Sequence, residues 1–244
     1  MPPETLLSVR GISKRFGGLL ALSSIGFDVA EGDVFGIIGP NGAGKTTLFS
    51  CLVGALAPTS GEIWFRGQRI DGLPNHAVVK RGIVRTHQIV RPFPEMNVTE
   101  NVAVGAHFGA GRRRGSDAAR RVREILERTG LASEAGSSAA ALTIGQLKRL
   151  EIARALATEP RVICLDEVMG GLNPAEIQSA MSLVRTIRDS GVTVLMIEHH
   201  VHAVVGVSNR ILVLNFGEKI AEGSPQAVLR EPAVITAYLG DGAK

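Results

Sequence analysis

Residues 39–47 have the residue types and the spacing that phosphate binding requires. They read Gly-Pro-Asn-Gly-Ala-Gly-Lys-Thr-Thr, and a glycine followed after four positions by Gly-Lys-Thr is the pattern of a phosphate-binding loop. Glycines let such a loop curl until successive backbone N–H groups point at phosphate oxygens. Lys45 would reach the β- and γ-phosphates, and the hydroxyl of Thr46 would bind Mg²⁺. The pattern predicts that a nucleoside triphosphate contacts Gly39, Asn41, Gly42, Ala43, Gly44, Lys45, Thr46 and Thr47.

Two adjacent acidic residues follow an apolar stretch further along the chain. Residues 161–165 are predicted to form a strand, and Asp166 and Glu167 come directly after it. In an open α/β sheet, ligands bind beyond the carboxyl ends of the strands, which is also where a phosphate loop lies. We expect Asp166 to hold Mg²⁺, directly or through water, and Glu167 to take a proton from the attacking water. An isolated Asp-Glu pair more often only solvates a loop, and the phosphate loop upstream favours the functional interpretation.

A third group that could take part in chemistry ends the next predicted strand, residues 192–197. The segment Glu198-His199-His200 follows it, and a histidine there could hydrogen-bond a γ-phosphate and orient the water. The alternatives are a structural histidine and a metal-binding pair. Adjacent histidines on an extended segment point to opposite sides, so a shared metal is disfavoured. We expect His199 in the site and His200 at the exposed start of a helix.

Composition limits the class of protein without choosing its partner. The chain has 244 residues, of which 45% are hydrophobic, and a net charge of +4, which suits one α/β domain with an inserted subdomain. Two spaced cysteines predict no disulfide framework and a reducing cytosol. No apolar stretch reaches the roughly 18 residues that a membrane span needs. We therefore expect a soluble chain, or one attached to a membrane through a partner.

The hydrophobic patterns place these motifs on specific elements. Strands are predicted at residues 6–9, 26–30, 34–38, 62–66, 82–86, 161–165, 192–197 and 211–214. Helices are predicted at residues 46–53, 73–82, 99–106, 116–129, 146–158, 174–190 and 200–207. The alternation after residue 161 predicts a parallel sheet with crossover helices. Within a single domain spanning residues 1–244, residues from about 88 to 158 are predicted to form an inserted helical subdomain.

Further segments, in order along the chain, resemble the ATP-binding subunits of ABC transporters. Leu142-Thr143-Ile144-Gly145-Gln146 precedes a predicted helix and is similar to the family's signature, Leu-Ser-Gly-Gly-Gln. Gln88 is similar to the glutamine at the entry to the family's helical subdomain, and His199 to its switch histidine. Gly171-Leu172-Asn173-Pro174 resembles the loop after the acidic pair, and Phe16 the aromatic residue that stacks on adenine. The resemblance covers essentially the whole chain and implies a P-loop NTPase core with an N-terminal antiparallel β subdomain and a helical insertion.

The resemblance implies a role for each matched residue. Its catalytic residues would be Glu167, His199 and Gln88, and its Mg²⁺ ligands Thr46, Gln88 and Asp166. Thr143, Gly145 and Gln146 would close over the γ-phosphate of an ATP molecule bound by a second subunit, so two chains would pair head-to-tail around two ATP molecules. The residues agree with this, because a helix start offers free N–H groups to an anion.

Six positions depart from the family pattern, among them His87 where phenylalanine is common and His200 where aspartate is common. Thr143 replaces serine, Ile144 replaces glycine, Val168 replaces proline and Asn173 replaces aspartate. Ile144 is expected to narrow the room near the γ-phosphate, and Val168 to loosen the loop after the acidic pair. None of these changes removes a predicted catalytic group, so ATP hydrolysis is expected.

Shorter matches favour one subgroup of the family. Residues 15–21 (Arg-Phe-Gly-Gly-Leu-Leu-Ala), residues 197–199 (Ile-Glu-His) and residues 237–240 (Ala-Tyr-Leu-Gly) resemble the ATP subunits of bacterial branched-chain amino acid importers. Relatives that import amides or urea, or that extract lipopolysaccharide, are similar and remain alternatives. A soluble ABC ATPase that acts outside transport is a third.

The partners and location follow from the same resemblance. The expected partners are integral-membrane permease subunits, a second identical or homologous ATP-binding subunit and, indirectly, a periplasmic binding protein. The chain would then lie in the cytoplasm, on the inner face of the cell membrane. Nucleic acid is not expected, because the arginine-rich stretch at residues 112–123 has only Phe108 beside it to stack on bases.

Overall fold

The computed structural model describes residues 5–87, 90–109 and 115–239. The strands are β1 (Thr5–Phe16), β2 (Leu19–Ala30), β3 (Val34–Ile38), β4 (Ser60–Phe65), β5 (Gln68–Arg69), β6 (Ile83–Arg85), β7 (Val162–Asp166), β8 (Thr193–Ile197), β9 (Arg210–Asn215) and β10 (Glu218–Gly223). The helices are α1 (Lys45–Leu52), α2 (Asn75–Arg81), α3 (Val98–Phe108), α4 (Gly115–Thr129), α5 (Ile144–Ala157), α6 (Pro174–Asp189), α7 (Val201–Val207), α8 (Pro225–Val228) and α9 (Pro232–Leu239). The predicted α/β fold, with its antiparallel and parallel parts, is confirmed.

An antiparallel sheet in the order β2-β1-β4-β5 forms the N-terminal part. Its first two strands are much longer than the predicted residues 6–9 and 26–30, and those predictions were wrong in extent. The β1–β2 register shifts at several points, including between Val9 and Ile12, and Gly11 between them has φ of 60°. Such bulges interrupt the alternation of apolar and polar residues from which a strand is recognised. The longer β1 carries Phe16 at its end.

A second sheet, in the order β10-β9-β3-β8-β7-β6, carries the predicted chemistry. Neighbouring strands from β9 to β6 are parallel, and β10 returns antiparallel to β9. Every residue of β3, β7 and β8 is buried, as expected for strands covered on both faces. In register, Ile197 lies beside both Ile37 and Asp166. The ends of three strands therefore meet at one edge, and the residues that follow them are brought together.

Three helices, α3, α4 and α5, lie between β6 and β7 in the chain and pack against one another. Asn97 and Thr143 start α3 and α5 with reciprocal capping boxes, each worth about 1 kcal/mol. Buried residues of these helices, such as Val102 and Leu150, belong to the same apolar cluster as Leu165 in the sheet. The helices thus share a core with the sheet, and the division at residues 88–158 stays a prediction.

The C-terminal part contains elements that were not predicted. A turn between Asn215 and Glu218 joins β9 to β10, and no helix was predicted where α8 and α9 follow. Among the helices that the structure describes, none is both long and apolar enough to cross a lipid bilayer.

Candidate functional site

The phosphate loop joins β3 to α1, and two of its glycines are required by geometry. Gly39 has φ of 151°, and a Cβ atom there would lie 2.1 Å from the carbonyl oxygen of Leu214. Gly44 has φ of 100°, and its Cβ atom would lie 2.7 Å from the carbonyl oxygen of Ala21. A side chain at either position would need both an unfavourable backbone conformation and a displaced neighbour. These two glycines fix the loop against β9 and β2.

Lys45 lies buried inside the loop. Its Nζ donates hydrogen bonds to the carbonyl oxygens of Gly39 (2.7 Å) and Pro40 (2.9 Å). Burial lowers the pKa of this ammonium group, and the negative charges of Glu167 and Asp166 partly offset the effect. A cation that has lost most of its hydration favours a new anionic partner, so Lys45 is well placed for phosphate oxygens.

An open cavity of about 560 Å³ lies over the loop. The predicted residues that line it are Phe16, Asn41, Gly42, Ala43, Gly44, Lys45, Thr46, Thr47, Glu167 and His199. Gly39, the first residue of the loop, is buried and does not line the cavity. Three large apolar lining residues, Leu19, Leu20 and Phe216, were not predicted. Together with Phe16, which is 44% exposed, they give the cavity one apolar flank beside a polar floor, a combination that suits a nucleotide's base and phosphates.

Glu167 and His199 are in direct contact. The His199 Nε2 atom lies 2.7 Å from Glu167 Oε1, although 32 residues separate them in the chain. Glu167 has a left-handed backbone with φ of 50°, which costs a non-glycine residue about 1 kcal/mol or more. Its N–H donates to the carbonyl oxygen of Ile197 at 2.9 Å, which holds this conformation. The cavity thus contains a carboxylate positioned by a histidine, the arrangement that a general base requires.

Asp166 ends β7 and is 1% exposed. One carboxylate oxygen, Oδ2, forms an ion pair with Arg85, and the backbone N–H of Asp166 donates to Thr86 Oγ1 at 3.1 Å. The other oxygen, Oδ1, has no hydrogen-bond partner among the described residues although it is buried. A buried carboxylate oxygen without a partner is costly, and a bound cation would remove that cost.

This donor set fits Mg²⁺. The ion usually takes one or two protein ligands and completes its shell with water and phosphate oxygens, and Asp166 Oδ1 with the Thr46 hydroxyl would supply such a pair. The described residues contain no group of three or more His, Cys, Asp or Glu side chains that could hold a metal without a nucleotide. The third predicted ligand, Gln88, lies outside the described residues, and so does its predicted catalytic role.

Arg85 is a site residue that the sequence analysis missed. It ends β6, binds Asp166 through one guanidinium nitrogen and donates from another, Nη1, to Ser50 Oγ on α1 at 2.9 Å. It therefore connects the acidic strand end to the helix that follows the phosphate loop. In the sequence, Arg85 follows Gly82-Ile83-Val84, and this pattern does not indicate which residue the arginine binds.

The signature residues lie apart from the phosphate loop. Thr143, Gly145 and Gln146 line a separate depression of about 270 Å³, together with Leu172 and Glu176, and none of them lines the cavity over the loop. Thr143 Oγ1 accepts from the Gln146 N–H (3.3 Å), and Gln146 Oε1 accepts from the Thr143 N–H (2.9 Å). Within one chain, therefore, these residues and the phosphate loop do not form a common site.

Glu198 was also missed as a site residue. It is 2% exposed, and its Oε1 accepts a hydrogen bond from the backbone N–H of Met169 at 2.8 Å. Burial raises its pKa to about 7, and the nearby charges of Glu167 and Asp166 contribute, while the Met169 hydrogen bond and Lys148 act in the opposite direction. A buried carboxyl group with a raised pKa thus precedes His199 in the chain and contacts the loop that carries Glu167.

We predict that replacing Arg85 weakens divalent-cation binding about 10- to 100-fold, because groups that orient a metal ligand have effects of this size. Arg85→Met would leave the Asp166 carboxylate without its partner. The measurement is titration of the protein–ATP mixture with Mn²⁺, followed by electron paramagnetic resonance, and Arg81→Met on the surface of α2 is the matched control. A Mn²⁺ affinity within twofold of wild type, in a variant with an unchanged melting temperature, would contradict this role.

Comparison with known proteins agrees with this geometry. A family model described as "ABC transporter" matches residues 22–170, and one described as "Branched-chain amino acid ATP-binding cassette transporter" matches residues 218–244. The chain is 42% identical to the high-affinity branched-chain amino acid transport ATP-binding protein LivG of Escherichia coli K12, over 98% of this chain and 99% of that protein. It is 43% identical to BraF of Pseudomonas aeruginosa, which has the same description, over 97% and 98%.

Solved structures show the same fold. The ADP-bound form of MJ1267, an ATP-binding cassette of an ABC transporter, matches with a TM-score of 0.89 and 32% identity, over 98% of this chain and all of that one. The dimeric ATP-binding cassette MJ0796, bound to ADP and Pi after hydrolysis, matches with a TM-score of 0.80 and 25% identity, over 90% and 99%. On sequence, fold and site geometry together, the chain belongs to the ABC transporter family and is one of its ATP-binding subunits.

Proposed function

We propose that this chain hydrolyses ATP to drive a membrane importer of branched-chain amino acids. The observation that carries the proposal is the convergence of Lys45, Asp166, Glu167 and His199 at one sheet edge, around a cavity large enough for a nucleotide. The transported substrate is inferred from the LivG and BraF relatives and from the family model over residues 218–244.

Each of these residues has a separate role in phosphoryl transfer. Loop N–H groups and Lys45 bind the β- and γ-phosphates, while Phe16 and the apolar flank take the adenine. Asp166 and Thr46 would hold Mg²⁺, which would neutralise charge on the phosphate oxygens. Glu167 accepts the proton of the attacking water at its carboxylate, and His199 keeps that carboxylate in place and faces the γ-phosphate.

Two chains complete each site in this proposal. The signature residues face a different depression from the phosphate loop, so they have no phosphate to bind within their own chain. The α5 helix start nevertheless presents N–H groups suited to an anion. In a head-to-tail pair, Gly145 and Thr143 of one chain would cover the ATP held by the other. The second chain is an identical or homologous ATP-binding subunit.

Lipopolysaccharide export is a weaker alternative. LptB of Acidithiobacillus ferridurans, described as an export-system ATP-binding protein, is 33% identical over 97% of each chain, against 42–43% for LivG and BraF. We therefore favour import. Under either function the chain attaches to the inner face of the membrane through permease subunits.

A surface beside α5 suits the permease. Phe93 is 40% and Met96 is 36% exposed, and the Arg154 guanidinium lies 4.9 Å from the centre of the Phe93 ring. Arg154 also donates to the carbonyl oxygen of Arg91 at 2.9 Å, so the exposed aromatic ring is held in place. An ordered apolar ring at the surface is typical of a site for a partner's short helix.

We expect Glu167→Gln to lower ATP turnover by about 100- to 10,000-fold, since it removes a general base, and to trap an ATP-bound dimer. Size-exclusion chromatography with light scattering in Mg-ATP measures this, on the chain alone and mixed with the transporter's other ATP-binding subunit. The control is Glu167→Gln combined with Lys45→Ala, which should stay monomeric because ATP no longer binds. A variant that binds ATP and remains monomeric in both mixtures would refute the pairing.

Truncation of Phe93 to alanine, or charge reversal by Arg91→Glu, should lower transport about 10-fold or more, the usual effect of losing an interface hot spot. Basal ATPase activity of the isolated chain should stay within twofold. Uptake of radiolabelled leucine by proteoliposomes holding the complete transporter is the measurement. Phe108→Ala, which alters an aromatic residue that is 76% exposed at the end of α3, is the control. Unchanged uptake in both variants would show that the permease binds elsewhere.

A further inference from the structure

The loop that follows β7 carries Glu167 and is held from two sides. On one side, Lys148 of α5 donates from Nζ to the carbonyl oxygen of Glu167 at 3.2 Å. On the other, Glu198 accepts from the N–H of Met169 at 2.8 Å. The two contacts are two residues apart on the loop and come from different elements, α5 and the end of β8.

The loop's backbone depends on such contacts more than a proline-containing loop would. Glu167 is in the left-handed region, and Gly170 closes a turn by donating to the Glu167 carbonyl oxygen at 3.3 Å. Residue 168 is valine, so no ring fixes its φ angle. The position of the Glu167 carboxylate therefore depends more on the side chains that bind the loop than it would in a loop with proline.

We propose that Lys148 and Glu198 are positioning residues that clamp this loop and so set the place of the Glu167 carboxylate for the attack of water. The inference rests on the proposed function and adds to it a route between the two nucleotide sites. Lys148 lies one turn beyond Gly145 on α5, and Gly145 is proposed to contact the ATP of the second chain. When the start of α5 moves on contact with that ATP, Lys148 transmits the movement to the loop that carries Glu167.

Burial and charge agree with a permanent clamp. Glu198 is almost fully buried, and the charged groups that act on it are Lys148, Glu167 and Asp166. Its contact with Met169 needs only an acceptor oxygen, which both the ionised and the protonated carboxyl group provide. The hydrogen bond therefore persists through the titration of Glu198, and Glu198→Gln preserves it.

Amide hydrogen exchange on the nucleotide-free chain tests the clamp without reference to ATP hydrolysis. Glu198→Leu should speed exchange at the Met169 amide about 10-fold, the effect of losing one hydrogen bond, whereas Glu198→Gln should keep wild-type protection. Glu127→Gln on the exposed face of α4 is the control. Wild-type exchange at Met169 in Glu198→Leu, or equal loss of protection in Glu198→Gln, would overturn the clamp.

Steady-state kinetics distinguishes a role in positioning Glu167 from a role in the stability of the fold alone. Lys148→Met and Glu198→Leu should lower kcat about 10- to 100-fold, the effect of misplacing a reacting group by about 1 Å, with the affinity for a fluorescent ATP analogue within twofold. Lys148→Arg and Glu198→Gln should recover most of kcat, and Lys80→Met on α2 should match wild type. In the Glu167→Gln background the same changes should have no further effect. An undiminished effect there, or parallel losses of kcat and affinity, would overturn the proposal.

The two hypotheses fail in different ways. A wild-type chain that shows no ATPase activity, alone or with its partner subunits, contradicts the proposed function, and the exchange experiment still decides whether the loop is clamped. Active wild type with unaffected Lys148→Met and Glu198→Leu variants overturns the clamp alone.

Discussion

Two buried charges at the carboxyl edge of the parallel sheet determine the rest of the site. Lys45 is 5% exposed and Asp166 is 1% exposed, and an ionised group removed from water is costly unless partners replace its hydration. The loop's own carbonyl groups partner Lys45, and Arg85 partners one oxygen of Asp166. The other Asp166 oxygen has no partner among the described residues. Phosphate and metal would complete both shells, so the folded chain is already prepared for a metal–nucleotide complex.

The same sheet edge underlies our proposal that one chain supplies half of each site. The sheet edge brings together the phosphate loop, the acidic pair and His199 because β3, β7 and β8 are neighbours in register. The α5 start lies between β6 and β7 in the chain, and its signature residues line a separate depression. In the proposed pair, they would contact the phosphate held by a second molecule. Lys148 lies on the same helix and donates a hydrogen bond to the Glu167 loop of its own chain.

The sequence predicted those elements whose structure depends on residues close together in the chain. The phosphate loop, the strand before the acidic pair and the capped start of α5 each depend on residues close in the chain, and the structure has them within a few residues of the predicted bounds. Contacts between distant segments were not predictable in this way. Arg85 meets Asp166 from 81 residues away and Glu198 meets Met169 from 29, and nothing near any of these residues indicates its partner. The bulged strands β1 and β2 were underestimated because their irregular register removes the periodic signal.

In the proposed pair, the signature helix of one chain closes the phosphate site of the other. A structure of the Glu167→Gln variant with Mg-ATP, formed with whichever ATP-binding subunit pairs with it, tests this directly. We expect the Gly145 N–H to lie within about 3 Å of a γ-phosphate oxygen held by the opposite chain. A triphosphate fully bound by residues 39–47 while Gly145 faces only water in every assembly would contradict it.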